Sequence, residues 1–276
     1  MNTPIYKLIL LPIVALLMCF TSCSKKHEPK DKEAYYFTSG NAPEDTKFFV
    51  NGNPTNRGNA ISLFLIEGEN EIDYQSEFKD EGYWMRIVKT KNLFSNDFEV
   101  IIDEEKDEAE AKKSSTATFK IDQWWRWAWQ DCDTITEITD KDKEEILGLF
   151  DTMCSAANDF ENNKEFLTNH PDILLWTEHS FFTERTEKMF KQVIANLPAR
   201  SELVETKAPR EEIEFIVGKQ IILLLPTKSA KLYDLSAPPK ENKEDENGVT
   251  WTYSLGFNEM FFAKKDGKWK MMLPVN

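Results

Sequence analysis

The spacing of apolar side chains changes period twice along this chain, and that limits the folds open to it. Between Tyr35 and Gln130 the period is two. Tyr83, Met85 and Ile87 occupy one parity while Trp84, Arg86 and Val88 take the other, and Phe98, Val100 and Ile102 repeat the pattern. Phe48-Phe49-Val50 runs into Asn51-Gly52-Asn53-Pro54, and Ala60 to Ile66 meets Glu67-Gly68-Glu69-Asn70, so both runs end in turn chemistry. The charged stretch Asp103 to Lys113 is expected to bulge into solvent before Thr116 to Ile121 resumes the sheet. Strands at this spacing predict a small antiparallel β-sandwich-like region over residues 35–134.

From Thr139 the period lengthens. Thr139 with Asp142 fits a variant capping box, and Ile146, Leu147, Phe150, Met153, Cys154, Ala157 and Phe160 recur at three and four residues, which predicts a helix. A second helix is expected from Pro171 to about Asn196, burying Leu174, Phe181, Phe182, Met189, Phe190, Val193 and Leu197. From Glu211 the period returns to two through Ile213, Phe215 and Val217, with a turn at Gly218-Lys219 and a partner strand over Gln220 to Leu225. Pro226, Pro238, Pro239 and the polar Lys240 to Gly248 mark loops, Val249 to Lys264 reads as one long strand, and Asp266-Gly267 joins it to Lys268 to Leu273 as a tight hairpin. The expected fold class is α+β: the sandwich-like region, then over residues 135–276 a domain of two or more helices packed on a curved antiparallel sheet.

The helix from Asp140 to Phe160 and the closing hairpin Phe261-Phe262-Ala263-Lys264-Lys265-Asp266-Gly267-Lys268-Trp269-Lys270-Met271 together resemble an NTF2-like domain of the sort found in small exported bacterial proteins. That resemblance implies helices on a curved sheet and, in some members, an enclosed pocket used for small ligands or catalysis.

The N-terminus carries an address. Lys7 precedes the apolar run Leu8 to Phe20, whose thirteen residues would rise only about 20 Å as a helix against a hydrocarbon core of about 30 Å. Such a run reads as the core of a cleavable signal over residues 1–22. Phe20-Thr21-Ser22-Cys23 resembles the lipobox of bacterial lipoprotein signals, and that resemblance implies diacylation of Cys23 as the first residue of the mature chain. The rival readings are an ordinary secretory signal or a short uncleaved anchor. Ser24 in place of Asp resembles outer-membrane sorting. Residues 23–34, rich in charge and poor in large apolar side chains, are expected to serve as a lipidated flexible tether. The expected location is thus the cell envelope, with the membrane as partner through the N-terminal lipid.

Charge narrows the other partners. Lysine plus arginine total 34 against 48 acidic residues, a formal net charge of −14, which repels nucleic acid and anionic headgroups. The least ordinary local feature is Trp124-Trp125-Arg126-Trp127-Ala128-Trp129. Indoles exposed in a groove would suit a glycan or the side chains of an envelope protein, with Arg126 adding hydrogen bonds or a cation–π contact. The competing reading is that the cluster glues the two folded regions together, because it lies at their junction. As a strand it would align Trp125, Trp127 and Trp129 on one face; as a helix it would pair Trp125 with Trp129.

Export permits a disulfide between Cys132 and Cys154, although Cys154 also fits the apolar stripe of the helix as a small hydrophobe. No catalytic, metal or cofactor residues are assigned. Glu178-His179-Ser180 are consecutive and point in different directions on a helix, so they cannot form a triad. Asp103 to Glu110 lacks the oxygen spacing and turning glycine of a calcium loop. The leading expectation is a non-catalytic envelope lipoprotein acting as a binding or scaffolding module; the alternative is a small-molecule enzyme with a pocket in the C-terminal domain.

Overall fold

The computed structural model describes residues 34–40, 47–55, 61–75, 83–90, 97–106, 114–122, 124–163, 171–174, 195, 197–229, 231–236 and 254–272. Cys23 with its signal and tether, most of the expected second helix, Glu178-His179-Ser180, and the loop around Pro238 and Pro239 lie outside the described residues.

In the first region, β1 (Ala34–Gly40), β5 (Tyr83–Thr90) and β6 (Phe98–Lys106) form an antiparallel sheet with β5 at its centre. A second antiparallel sheet runs β3-β2-β4-β7, built from β2 (Lys47–Val50), β3 (Asn53–Thr55), β4 (Gly68–Gln75) and β7 (Ser114–Ile121). Asn51 (φ 53°) and Gly52 (φ 75°) make the tight β2–β3 turn, where both central residues need the left-handed conformation. The inner faces of the two sheets meet through Phe37 and Phe48, whose ring centroids lie 4.5 Å apart.

The second region corrects the expected fold class. Instead of two or more helices packed on a curved sheet, it is mostly β, and one α-helix, α1 (Asp140–Asn158), is defined among the described residues. Its five-stranded sheet runs β10-β11-β14-β15-β8, from β8 (Ile173–Leu174), β10 (Ile213–Val217), β11 (Ile221–Pro226), β14 (Met260–Lys265) and β15 (Lys268–Met272). Three further strands, β9 (Val204–Lys207), β12 (Tyr233–Ser236) and β13 (Ser254–Phe257), form a separate sheet in the order β13-β12-β9.

Two departures have local causes. Pro171 does not start a helix, because the Met271 amide donates to the Asp172 carbonyl at 2.8 Å and Lys270 Nζ donates to the Pro171 carbonyl at 2.6 Å and to Asp172 Oδ1 at 3.0 Å. These bonds draw Ile173 and Leu174 into parallel pairing with Met271 and Met272. The long strand expected up to Lys264 breaks at Asn258-Glu259 and changes sheet, its first part pairing with β12 and its second with β11. Gly256 sits opposite Asp234 in that first part, where an added Cβ would come within 2.8 Å of Asp234 Oδ1 and 2.9 Å of the Tyr233 carbonyl.

The five-stranded sheet is buried on both sides. Ile221, Leu223, Phe261, Ala263 and Met272 face a core shared with the first region, while Ile222, Leu224, Met260, Phe262 and Met271 face a second core with α1 and β12. A continuous apolar run such as Ile221 to Leu224 marks a strand covered on both faces. The two regions also interlock at their turns. The Lys219 amide donates to the Gly52 carbonyl at 2.8 Å, and Asn53 Oδ1 accepts from the amides of Gln220 (2.8 Å) and Ile221 (3.0 Å). A Cβ on Gly218 would lie 2.4 Å from Pro54 Cδ, so only glycine allows this approach.

Candidate functional site

The tryptophan segment is neither the strand nor the helix that periodicity allowed. Trp124 to Trp127 form no regular element, with Trp127 extended (φ −91°, ψ 148°), and the chain then closes a 3-10 turn over Ala128–Asp131. Gln130 holds that turn: its side-chain Oε1 accepts from the Trp127 backbone amide at 2.7 Å, and its backbone amide donates to the Trp127 carbonyl at 3.1 Å. Two indoles are then anchored on one short element. Trp124 Nε1 donates to the Ser62 carbonyl at 3.0 Å and Trp129 Nε1 to the Leu63 carbonyl at 2.8 Å, both in the 3-10 helix Ile61–Phe64. The Ser62 carbonyl otherwise accepts a long 3.4 Å bond from the Leu65 amide, and indole N–H is a donor only, so carbonyls at the end of this short helix suit the two indoles.

Trp124, Trp127 and Trp129 are buried in the core shared by the two regions, and Tyr35 meets Trp124 edge-on with ring centroids 5.2 Å apart. Trp125 is half-buried against the same core, and Arg126 is exposed and paired with Asp131. Of the five residues considered for ligand binding, only Trp125 and Arg126 thus retain substantial solvent access. The sequence pattern could not distinguish them from their neighbours, because the carbonyls that select Trp124 and Trp129 lie more than 60 residues earlier.

Cys132 and Cys154 are both free and buried, one in each core, on opposite sides of the five-stranded sheet. Burial pushes the Cys132 thiol up to about 11 and the Cys154 thiol up to about 12. Desolvated thiols of this kind are neutral at ordinary pH and poor nucleophiles.

Two carboxylates organise the far side of the sheet, and sequence reasoning captured only part of the role of one. Asp142 accepts from the Thr139 hydroxyl (2.6 Å) and amide (3.1 Å) as the cap of α1, and also from Lys264 Nζ (2.9 Å) and Trp269 Nε1 (2.8 Å) on the β14–β15 hairpin. These bonds, the Thr139 hydroxyl foremost, hold its carboxyl well below the usual range. Asp151 binds Lys207 and Arg210, each at 2.5 Å; burial opposes its ionisation, yet the two cations hold its carboxyl low. Tyr233 lies fully buried beneath α1, and desolvation pushes its phenol up. Among the described residues, no group of three or more His, Cys, Asp or Glu side chains is placed to hold a metal ion.

Compared with protein-family models, with curated proteins and with solved structures, the chain matches none.

Proposed function

We propose that this chain is a membrane-anchored, non-catalytic envelope lipoprotein that acts as a binding or scaffolding module, held to the membrane by lipid on Cys23 and recognising a glycan or an envelope protein. The observation that carries the scaffolding reading is the burial of Trp124, Trp127 and Trp129 in one core spanning both regions. The sequence's run of four tryptophans within six residues thus contributes three of them to a core that draws on both regions. Catalytic acids and bases work best with ionisation near the operating pH, whereas Asp142 and Asp151 are held low by caps and ion pairs and both thiols are held high. The anchor reading rests on the Phe20-Thr21-Ser22-Cys23 segment. Intact-mass measurement on the protein extracted from bacterial membranes should show an acylated N-terminal Cys23, and Cys23→Ser should abolish the added mass. An unmodified chain starting at another residue overturns the anchor.

A further inference from the structure

Asn51-Gly52 is a pair with a chemistry of its own, and the fold sets it at the joint between the two regions. An asparagine followed by glycine loses its side-chain amide most readily, because glycine lacks the Cβ that elsewhere shields the attacking backbone nitrogen. In that reaction the Gly52 nitrogen gives its proton to water and bonds to Asn51 Cγ, the Cγ–Nδ2 bond breaks, and ammonia leaves. Water then opens the resulting succinimide to aspartate or isoaspartate at position 51. Water is the only co-reactant, but Asn51 Cγ must be free to swing onto the Gly52 nitrogen.

The folded turn removes that freedom. Asn51 Nδ2 donates to the Phe64 carbonyl and to Asn70 Oδ1, each at 2.8 Å, and Asn51 Oδ1 accepts from the Glu71 amide at 3.0 Å. The carboxamide is thus held against β4 and the end of the 3-10 helix. Asn70 is itself fixed: its Oδ1 also accepts from the Ile66 amide at 2.8 Å, and its Nδ2 donates to the carbonyls of Ile66 (2.8 Å) and Gly68 (3.1 Å). Reversing the Asn70 amide would set donor against donor and acceptor against acceptor, so this buried side chain keeps an acceptor turned to position 51. A carboxylate there would face the Phe64 carbonyl and Asn70 Oδ1 with no proton to give either. Isoaspartate would also lengthen the backbone of a two-residue turn that needs Asn51 at φ 53° and Gly52 at φ 75°. The same turn receives the Lys219 amide on the Gly52 carbonyl and the Gln220 and Ile221 amides on Asn53 Oδ1, so its distortion reaches the contact between the regions. We propose that Asn51-Gly52 is a deamidation site that folding closes and unfolding opens, and whose product the native joint does not accommodate. Unfolding then becomes progressively irreversible, through covalent change at one turn.

The test incubates the full chain at mildly alkaline pH, in buffer and in guanidinium chloride, and reads position 51 by peptide mapping with mass spectrometry. Opening the three side-chain hydrogen bonds before attack should slow conversion in buffer by about a hundredfold relative to the denatured chain. Partly converted protein is then brought to the unfolding midpoint of the unreacted chain and given a brief protease pulse, which destroys unfolded molecules and spares folded ones. Among the survivors, converted position 51 should be depleted by at least about tenfold. Mapping counts the other Asn-Gly pair, Asn247-Gly248, separately, and at low conversion the two changes rarely share a molecule. Asn51→Asp supplies the aspartate product without the incubation, and a lowered unfolding midpoint or failure to fold is expected of it. Conversion as fast in buffer as in denaturant overturns the closed site. Converted chains that survive the pulse as well as unreacted ones, or an Asn51→Asp midpoint equal to that of the unsubstituted protein, overturn the incompatibility of the product with the joint.

Discussion

On one face of the five-stranded sheet, Ile221, Leu223, Phe261, Ala263 and Met272 meet partners as distant in sequence as Tyr35, Phe64 and Trp127. On the other face, Ile222, Leu224, Met260, Phe262 and Met271 meet α1, Leu232, Tyr233 and Leu235, all from the second region itself. The first cover is aromatic and is fixed by indole N–H groups on backbone carbonyls. The second is a helix laid on the sheet and fixed at its rim by Asp142 and Asp151. A single sheet thus belongs to two cores, and the second region owns only one of its two covers.

The strongest way to break this comparison is to remove the first cover. A fragment of residues 135–276 would expose Ile221, Leu223, Phe261, Ala263 and Met272 together, and each large apolar side chain left in water forfeits about 1.5–3 kcal/mol, so the summed loss rivals the whole stability of a typical domain. We expect no cooperative urea transition from the fragment. A sharp transition with near full-length stability would show that the second region stands without that cover.

Single substitutions sharpen it. Trp127→Ala on one face and Phe150→Ala on the other should each cost about 3–5 kcal/mol through lost contacts and a cavity. Because the sheet is common to both cores, each substitution should shift one and the same unfolding transition, followed by tryptophan fluorescence and by far-ultraviolet circular dichroism. Two transitions that move independently, one per variant, would mean that the faces unfold separately.

Asp142 gives a smaller effect that belongs to the second face alone. Its folded ionisation lies below the unfolded value of about 3.9, so the stability it adds is present above that pH and is lost as pH falls through the range beneath it. Asp142→Ala should cost about 1–3 kcal/mol at neutral pH and flatten the acid limb of stability below about pH 4. Chemical unfolding at pH 7 and pH 3 checks both, and an unchanged acid limb would assign the acid sensitivity to other carboxylates.

The parts of the molecule legible in sequence are those decided within a few residues. Thr139 and Asp142 form the reciprocal cap that their spacing suggests, and Asp266 (φ 52°) with Gly267 (φ 74°) makes the tight hairpin. The stripe from Ile146 to Phe160 lies in the second core, with Cys154 within it. What stayed hidden depends on partners far along the chain. Asp172 is captured by Met271, the break at Asn258-Glu259 depends on which sheet each flanking segment joins, and the choice among the tryptophans rests on the carbonyls of Ser62 and Leu63. Strand β9 is exposed at all four residues, so it carries no apolar alternation, and its pairing with β12 defines it.

The core that reaches from Tyr35 to Met272 also sets a schedule. A ribosome delivers Tyr35, Phe37 and the tryptophans long before Phe261 and Met272, so the nascent chain holds an aromatic half-core with nothing to close it until the last strands emerge. Contacts of such sequence separation make closure late and slow, and the interval is when the exposed face can meet another chain instead of its own C-terminus. A stop codon anywhere before β14 therefore leaves an aromatic half-core that nothing closes, in place of a shorter folded protein.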